Sequence, residues 1–272
     1  MLLPVAPLGT LARGIIGFVL ASAIALGARR ARSLSTSGAL AAACVGTLCM
    51  AAGTGWGVLL IAYFLAASLL SRYGRHEKAR LTGGVVAKTG ARDARQVFTN
   101  GGVYTACLVI APFCPDPIAT LVRAAALGAL AASSADTWAT EIGTLHGGTP
   151  RSLFTLRRVA PGTSGGVSAA GSLAMIAGAA FVALIAKVLG VPVALAAAIV
   201  AGTAGAVADS VLGATVQARR WCARCAAETE QCTHECGMPT ELRGGVSWLD
   251  NDAVNFLATL FGAAVAAILS GP

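Results

Sequence analysis

The chain has 272 residues, 56% of them hydrophobic and 12% charged, with a formal net charge of +8 and a mean hydropathy of +0.73. A soluble globular domain carries about 25% charged residues, so this composition excludes a soluble fold and predicts an all-α, polytopic membrane bundle. Aromatic residues are scarce at 6% while glycines number 33, which favours helices packed closely through small residues.

In chain order, apolar runs long enough to span a bilayer, at about 20 residues each, fall at 11–28, 38–53, 55–71, 98–114, 117–136, 166–189, 191–213 and 252–270. The second and fourth are short and interrupted by Gly, so eight spans are predicted, with seven as the alternative, in a single integral membrane domain covering 1–272. The first run leads into Arg29, Arg30 and Arg32 rather than a small-residue cleavage site, so no cleavable signal peptide is expected. With eight spans, the loops 29–37, 72–97, 137–165 and 214–251 share one side and hold 17 of the 20 Lys and Arg residues. The positive-inside rule places these loops in the cytoplasm and both termini outside, across a cell membrane. The net positive charge then serves orientation and attraction to anionic headgroups, not nucleic-acid binding.

Only twelve residues are acidic. Asp116 shapes the short turn CPDP. Glu77, Asp93, Glu228, Glu230, Glu235 and Glu241 lie among basic loop residues, where solvated charges are expected. Asp136, Glu141, Asp209 and Asp252 differ, because each borders or interrupts an apolar run. An ionisable group there is costly and marks a functional site with a partner expected nearby. On a helix, Asp136 and Thr140 share one face, and Thr137 and Glu141 another. Asp209 lies in AVADSVLGATVQ, with Lys187 and Arg219 its nearest charges along the chain. Asn251, Asp252 and Asn255 open the last span, where Asp250 or Asn251 serves equally as a plain helix N-cap. Carboxylates and amides at matching ends of three spans suit Mg2+, which takes one or two carboxylates and shares its remaining shell with phosphates. Interhelical hydrogen bonding is the other reading of the same residues.

Phosphate requires cations and N–H donors as well. Lys88, Arg92, Arg95, Gln96 and Asn100 supply a basic segment running into a polar stripe at one-turn spacing. Arg151, Arg157 and Arg158 flank PGTSGGVS, in which Gly162, Gly165 and Gly166 permit close backbone approach and Thr163, Ser164 and Ser168 add hydroxyls. This is not the GxxxxGK[ST] phosphate loop. A short echo, ADTWAT against ADSVLGAT, is too brief to argue a duplication.

Cys44, Cys49, Cys107 and Cys114 lie in apolar runs and read as packing residues. Cys222, Cys225, Cys232 and Cys236 fall in one cytoplasmic loop, 218–247, where a reducing compartment disfavours disulfides. Their C-x2-C…C-x3-C spacing suggests a structural zinc site with His234 as a substitute ligand. Free surface thiols or a redox site are the alternatives. Trp221 and Trp248 bracket the loop and fit an interfacial aromatic belt.

Taken in order, KTGARDARQVFTNGGV, ADTWATEIG, PGTSGGVS, ADSVLGATVQ, the Cys loop and WLDNDAVN resemble the transmembrane protein 19 family, which includes the plant phytyl-phosphate kinases. The resemblance runs from about residue 30 to the end. It implies a lipid kinase that converts an isoprenoid monophosphate to the diphosphate. The D-T-x-A-x-x-x-G block followed by a basic link and a G-[ST] turn is also similar to CTP-dependent lipid kinases, which favours CTP as donor. On this reading Asp136, Glu141 and Asp209 are catalytic and hold Mg2+, and Asn251, Asp252 and Asn255 close the site. Lys88, Arg92, Arg95, Gln96, Asn100, Arg158 and the turn Gly162, Thr163, Ser164, Gly165, Gly166 and Ser168 bind nucleotide or substrate phosphates. An acceptor that is already a phosphate needs no strong base, in keeping with a chain whose only histidines are His76, His146 and His234. The expected partners are an isoprenoid phosphate lipid, a nucleoside triphosphate and the membrane, with homo-oligomerisation open. A transporter or flippase of such lipids is the rival, and a zinc-organised scaffold a third reading. Polar groups confined to one end of the spans favour the enzyme over a transport path.

Overall fold

The computed structural model describes residues 9–86, 90–192 and 194–271. Its helices are α1 (Thr10–Arg30), α2 (Thr36–Ala52), α3 (Thr54–Arg72), α4 (Arg75–Thr82), α5 (Ala94–Ile110), α6 (Asp116–His146), α7 (Ala169–Val188), α8 (Leu195–Thr215) and α9 (Asn251–Leu269). All but α4 fall on the eight apolar runs. Six are long and apolar enough to cross a membrane, while α2 and α5 have 17 residues each.

Capping separates the two ends of the bundle. The helices that leave the basic loops, α2, α5, α7 and α9, each begin with a side-chain N-cap: Ser35, Asp93, Ser168 and Asp250. The long helices entering from the opposite end, α1, α3, α6 and α8, have none. An orphan helix N–H needs an acceptor, and the sequence sets Ser or Asp at the capping position only at the end where the chain is polar.

Helix α6 is the axis. Its run Ala126–Ala135 is buried throughout, and it packs against α3, α5, α7, α8 and α9. A helix apolar on every side belongs in the interior. It continues ten residues past the expected end at 136, so Glu141 sits on helix rather than in a loop. Gly143 is tolerated there because it faces Gly171 of α7, with an added Cβ lying 3.2 Å from the Gly171 Cα.

Small residues join α6 to α8 and α9. A Cβ on Gly205 would lie 2.4 Å from the Ala132 Cβ and 2.9 Å from the Ala258 carbonyl, and one on Gly262 would lie 2.7 Å from the Ala132 Cβ. Backbones therefore touch at one level, the packing that drives helix association in lipid.

Two small sheets occupy loops that the sequence leaves irregular. Strand β1 (Arg151–Ser152) pairs antiparallel with β2 (Gly166–Val167). Strands β3 (Arg219–Cys222), β4 (Ala227–Thr229) and β5 (Glu241–Gly244) form an antiparallel ribbon in the order β4-β3-β5.

Candidate functional site

The small-residue junction sets what lies one turn nearer the basic loops. Asp136 follows Ala132 by four residues, Asp209 follows Gly205 by four, and Asn255 precedes Ala258 and Thr259. Residues four apart share a helix face, so Asp136 and Asp209 meet one turn beyond the junction, and Asn255 lies one turn beyond it along α9. The negative charge of Asp136 reaches Asp209, as does that of Glu230, and Asp136 feels Glu141. Among the described residues no salt bridge reaches Asp136 or Asp209. Asp209 Oδ2 is buried without a hydrogen-bond partner among the described residues. Buried acceptors are almost always satisfied, so this oxygen is exceptional.

The opposite side of α6 is fully compensated. Glu141 accepts hydrogen bonds from Lys78 Nζ and Ser71 Oγ. Lys78 also donates to the Leu70 carbonyl at 2.7 Å and the Ser71 carbonyl at 3.2 Å, and is only 9% exposed. All three ammonium protons thus have acceptors, two of them at the negative end of α3. Arg92 Nη2 donates to the same Ser71 Oγ at 2.8 Å. Both Glu141 oxygens are engaged by these groups, which departs from the expectation that Glu141 coordinates a metal. Sequence reasoning missed Lys78 and Ser71, because Lys78 reads as one of seven basic residues in a loop. The signal was Gly74, whose φ of 62° reverses the chain between α3 and α4.

The turn 162–168 lies against the end of α8. Gly165 has φ 74°, and a Cβ there would meet the Ala214 Cβ at 2.3 Å. Two amides of the turn are committed internally, Thr163 N to Ala160 O at 3.1 Å and Gly166 N to Thr163 O at 3.0 Å. Ser168 caps α7. Ser164 Oγ instead donates to Glu230, which also accepts from Gln217 Nε2 at 2.8 Å. Glu230, expected to be a solvated loop charge, is therefore part of this carboxylate end. Arg158 is exposed on the adjoining hairpin, bridged to Arg151. Lys88 lies outside the described residues.

The α5 stripe forms as spaced. Gln96 closes a capping box with Asp93, accepting from Asp93 N at 3.2 Å while Asp93 Oδ1 accepts from Gln96 N at 2.9 Å. Asn100 Nδ2 donates to Gln96 O at 2.8 Å, and Ser133 Oγ donates to Asn100 Oδ1 at 2.9 Å. Arg92, Gln96, Asn100, Tyr63 and Thr137 line the polar part of a cavity of about 100 Å3 whose other walls, Phe64 among them, are apolar. Arg95 points elsewhere. It makes a bidentate pair with Asp250 at 2.6 and 2.8 Å and lies 3.5 Å from Asp252, which is buried. Arg95 thus fastens α5 to α9, and Asp250 is the N-cap of α9, accepting from Ala253 N at 3.1 Å. Asn251 is the first residue of that helix. An apolar groove of about 1120 Å3 runs along α8 and α9, with Val207, Val211, Leu212, Leu257 and Phe261 among its walls.

The ribbon carries a second cluster. Cys222, Cys225, His234 and Cys236 bring their ligand atoms within 4.8 Å of one another, an arrangement that could hold a metal ion. Cys232 is not among them, which corrects the expected four-cysteine set. A bridge between Thr233 and Pro239 and the turn at Gly237, φ 80°, bring His234 back to Cys236, leaving Cys232 exposed beyond the turn. Hydrogen bonds from the Met238 backbone and His234 draw the Cys236 thiol down to about 6, while those with Cys236 push Cys225 up to about 11.

Residues 19–263 match the family model described as "Integral membrane protein DUF92". Protein PGR of Arabidopsis thaliana is 32% identical, with 95% of this chain and 96% of that protein aligned. Protein VTE6, chloroplastic, also of Arabidopsis thaliana, is 26% identical over 95% of this chain and 70% of its own length. An uncharacterized membrane protein of Methanocaldococcus jannaschii is 24% identical over 96% and 95%. No solved structure matches the chain. With nearly its whole length covered by that family model and a relative of 32% identity aligned end to end, the chain belongs to the DUF92 family of integral membrane proteins.

Proposed function

We propose that this protein transfers a phosphoryl group from a nucleoside triphosphate, CTP for preference, to an isoprenoid monophosphate at the cytoplasmic face of the membrane. The observation that carries this reading is the uncompensated pair Asp136 and Asp209, with a buried Oδ2 on Asp209 that has no hydrogen-bond partner among the described residues. Kinship with the family that includes phytyl-phosphate kinases supports the reaction class.

Asp136 and Asp209 suit Mg2+, since they offer hard oxygen donors whose like charges lack a counterion. When bound, the ion neutralises charge on the transferring phosphates. Glu141 holds the Lys78 ammonium, and Ser71 holds Arg92, on the other face of α6, fixing the end of α3 against the helix that carries Asp136. Ser164 and Asn255 approach from the turn and from α9. An oxygen of the lipid phosphate attacks the terminal phosphorus, the bond to the bridging oxygen breaks, and the nucleoside diphosphate leaves. Such transfer rests on positioning and charge stabilisation rather than on a strong base. The isoprenoid tail lies in the apolar groove along α8 and α9, which flanks the Asp209 level. Zinc is the ion we assign to the thiol–imidazole cluster, whose donors are too soft for magnesium.

The test is incubation of purified protein with labelled CTP or ATP, Mg2+ and prenyl monophosphates. Formation of the diphosphate by the wild type and its loss in Asp136→Asn is the expected result. No product, or equal product from both proteins, overturns the reading. Accumulation of labelled lipid phosphate across vesicles without diphosphate would favour transport.

A further inference from the structure

We propose that Cys222, Cys225, His234 and Cys236 bind one zinc ion, and that this ion fixes the β3–β5 ribbon as a wall of the carboxylate end, delivering Glu230 to Ser164 and Gln217. The inference rests on the zinc assignment but not on phosphoryl transfer.

Geometry supports the ligand set first. Cys222 Sγ and Cys236 Sγ lie 3.6 Å apart. A disulfide would bring them to about 2.05 Å. Zn–S bonds of about 2.3 Å in a tetrahedron separate neighbouring sulfurs by roughly 3.8 Å, so the observed spacing fits two ligands of one ion. The two halves come from opposing turns. Cys222 ends β3 and Cys225 lies in the β3–β4 turn, where Ala226 takes a left-handed φ of 49°. His234 and Cys236 lie in the second turn, closed by Gly237 N to His234 O at 2.8 Å and His234 N to Met238 O at 2.9 Å. Three thiolates and an imidazole form a closed set with no open position, the signature of a structural rather than catalytic zinc.

The ribbon's remaining contacts explain what such a clamp would do. Glu230 follows β4 directly, and its N–H donates to Val85 O at 2.8 Å. Gln231 Nε2 donates to Val86 O at 3.0 Å, and Gly84 N donates to Glu235 at 3.2 Å. The ribbon therefore grips the exit of α4, the helix that carries Lys78. On its other side Val246 N donates to Val216 O and Ala218 N to Leu249 O, both at 2.9 Å, tying it to the end of α8. With strands of only three and four residues, a sheet of this size is marginal alone. Cross-linking its two turns through a metal supplies the missing rigidity.

The experiment is metal analysis of the detergent-solubilised full chain, followed by hydrogen exchange. Wild type and Cys232→Ser are expected to carry one zinc per chain, whereas Cys225→Ser and His234→Ala fall at least tenfold in zinc content. Cobalt exchanged into the wild type should give the visible absorption of a tetrahedral thiolate site. A folded wild type that neither carries nor takes up zinc overturns the zinc assignment. Loss of zinc in Cys232→Ser equal to that in Cys225→Ser, with His234→Ala unaffected, overturns the ligand set alone. Removing zinc from the wild type with a chelator should raise amide exchange at 84–86 and 229–231 at least tenfold. Unchanged exchange there overturns the clamp. None of these readouts depends on phosphoryl transfer.

Discussion

The two sides of α6 near the basic loops treat a carboxylate in opposite ways. On one side Glu141 is enclosed by Lys78, Ser71 and Arg92, and the network is satisfied. On the other, Asp136 faces Asp209 with like charge and an oxygen left without a partner. A buried charge that is paired contributes to holding helices in place, while one that is unpaired costs stability and persists where something else binds it. On the function proposed above, one face is structural and the other binds the ligand.

The largest expected effect breaks the unpaired side. Asp209→Asn should lower phosphoryl transfer by about 10²–10³-fold, the scale of losing one transition-state contact, while thermal unfolding in detergent stays level or rises because no partner is lost. A fall in unfolding temperature with activity intact would reverse the assignment. On the paired side, Lys78→Met should destabilise the protein by about 3–5 kcal/mol, since it strands Glu141 as an uncompensated buried charge. Adding Glu141→Gln should recover much of that loss, read as coupling in a double-mutant cycle. A smaller change comes from Ser164→Ala, which removes one of the donors to Glu230 and should cost about 1–3 kcal/mol. The smallest effect is expected from Arg95→Ala. Its pair with Asp250 is about half exposed, so about 1 kcal/mol or less is lost, and a larger drop in activity than in stability would return Arg95 to the phosphate site.

Much of the bundle was legible because membrane burial writes itself into composition. Each of the eight runs became a helix, and the 17-residue α2 and α5 are the two judged short. The overrun of α6 was less visible, since Thr140, Glu141 and Thr144 look like loop residues until a helix is known to extend beyond the apolar stretch. Asp136 and Asp209 stood out because a carboxylate ending an apolar run is rare. Their approach to one another was hidden in single small residues, Ala132 and Gly205, whose meaning depends on which helix faces which. The surroundings of Glu230 and the choice between Cys232 and His234 were illegible for a related reason. These residues lie in a loop where spacing counts residues but not turns, and two tight turns brought His234 rather than Cys232 close to the other three cysteines and carried Glu230 inward to Ser164.

By itself the sequence determined the membrane class, the helices, the one-sided distribution of charge and the short set of costly carboxylates. These are local properties, set by hydropathy along the chain and by the expense of charge in an apolar run. Only the tertiary structure decided which carboxylates are compensated, because pairing depends on contacts such as Lys78 with Glu141, 63 residues apart. Such contacts are set by backbone reversals at Gly74 and close packing at Gly205 and Gly262, where a single missing Cβ determines which side chains meet.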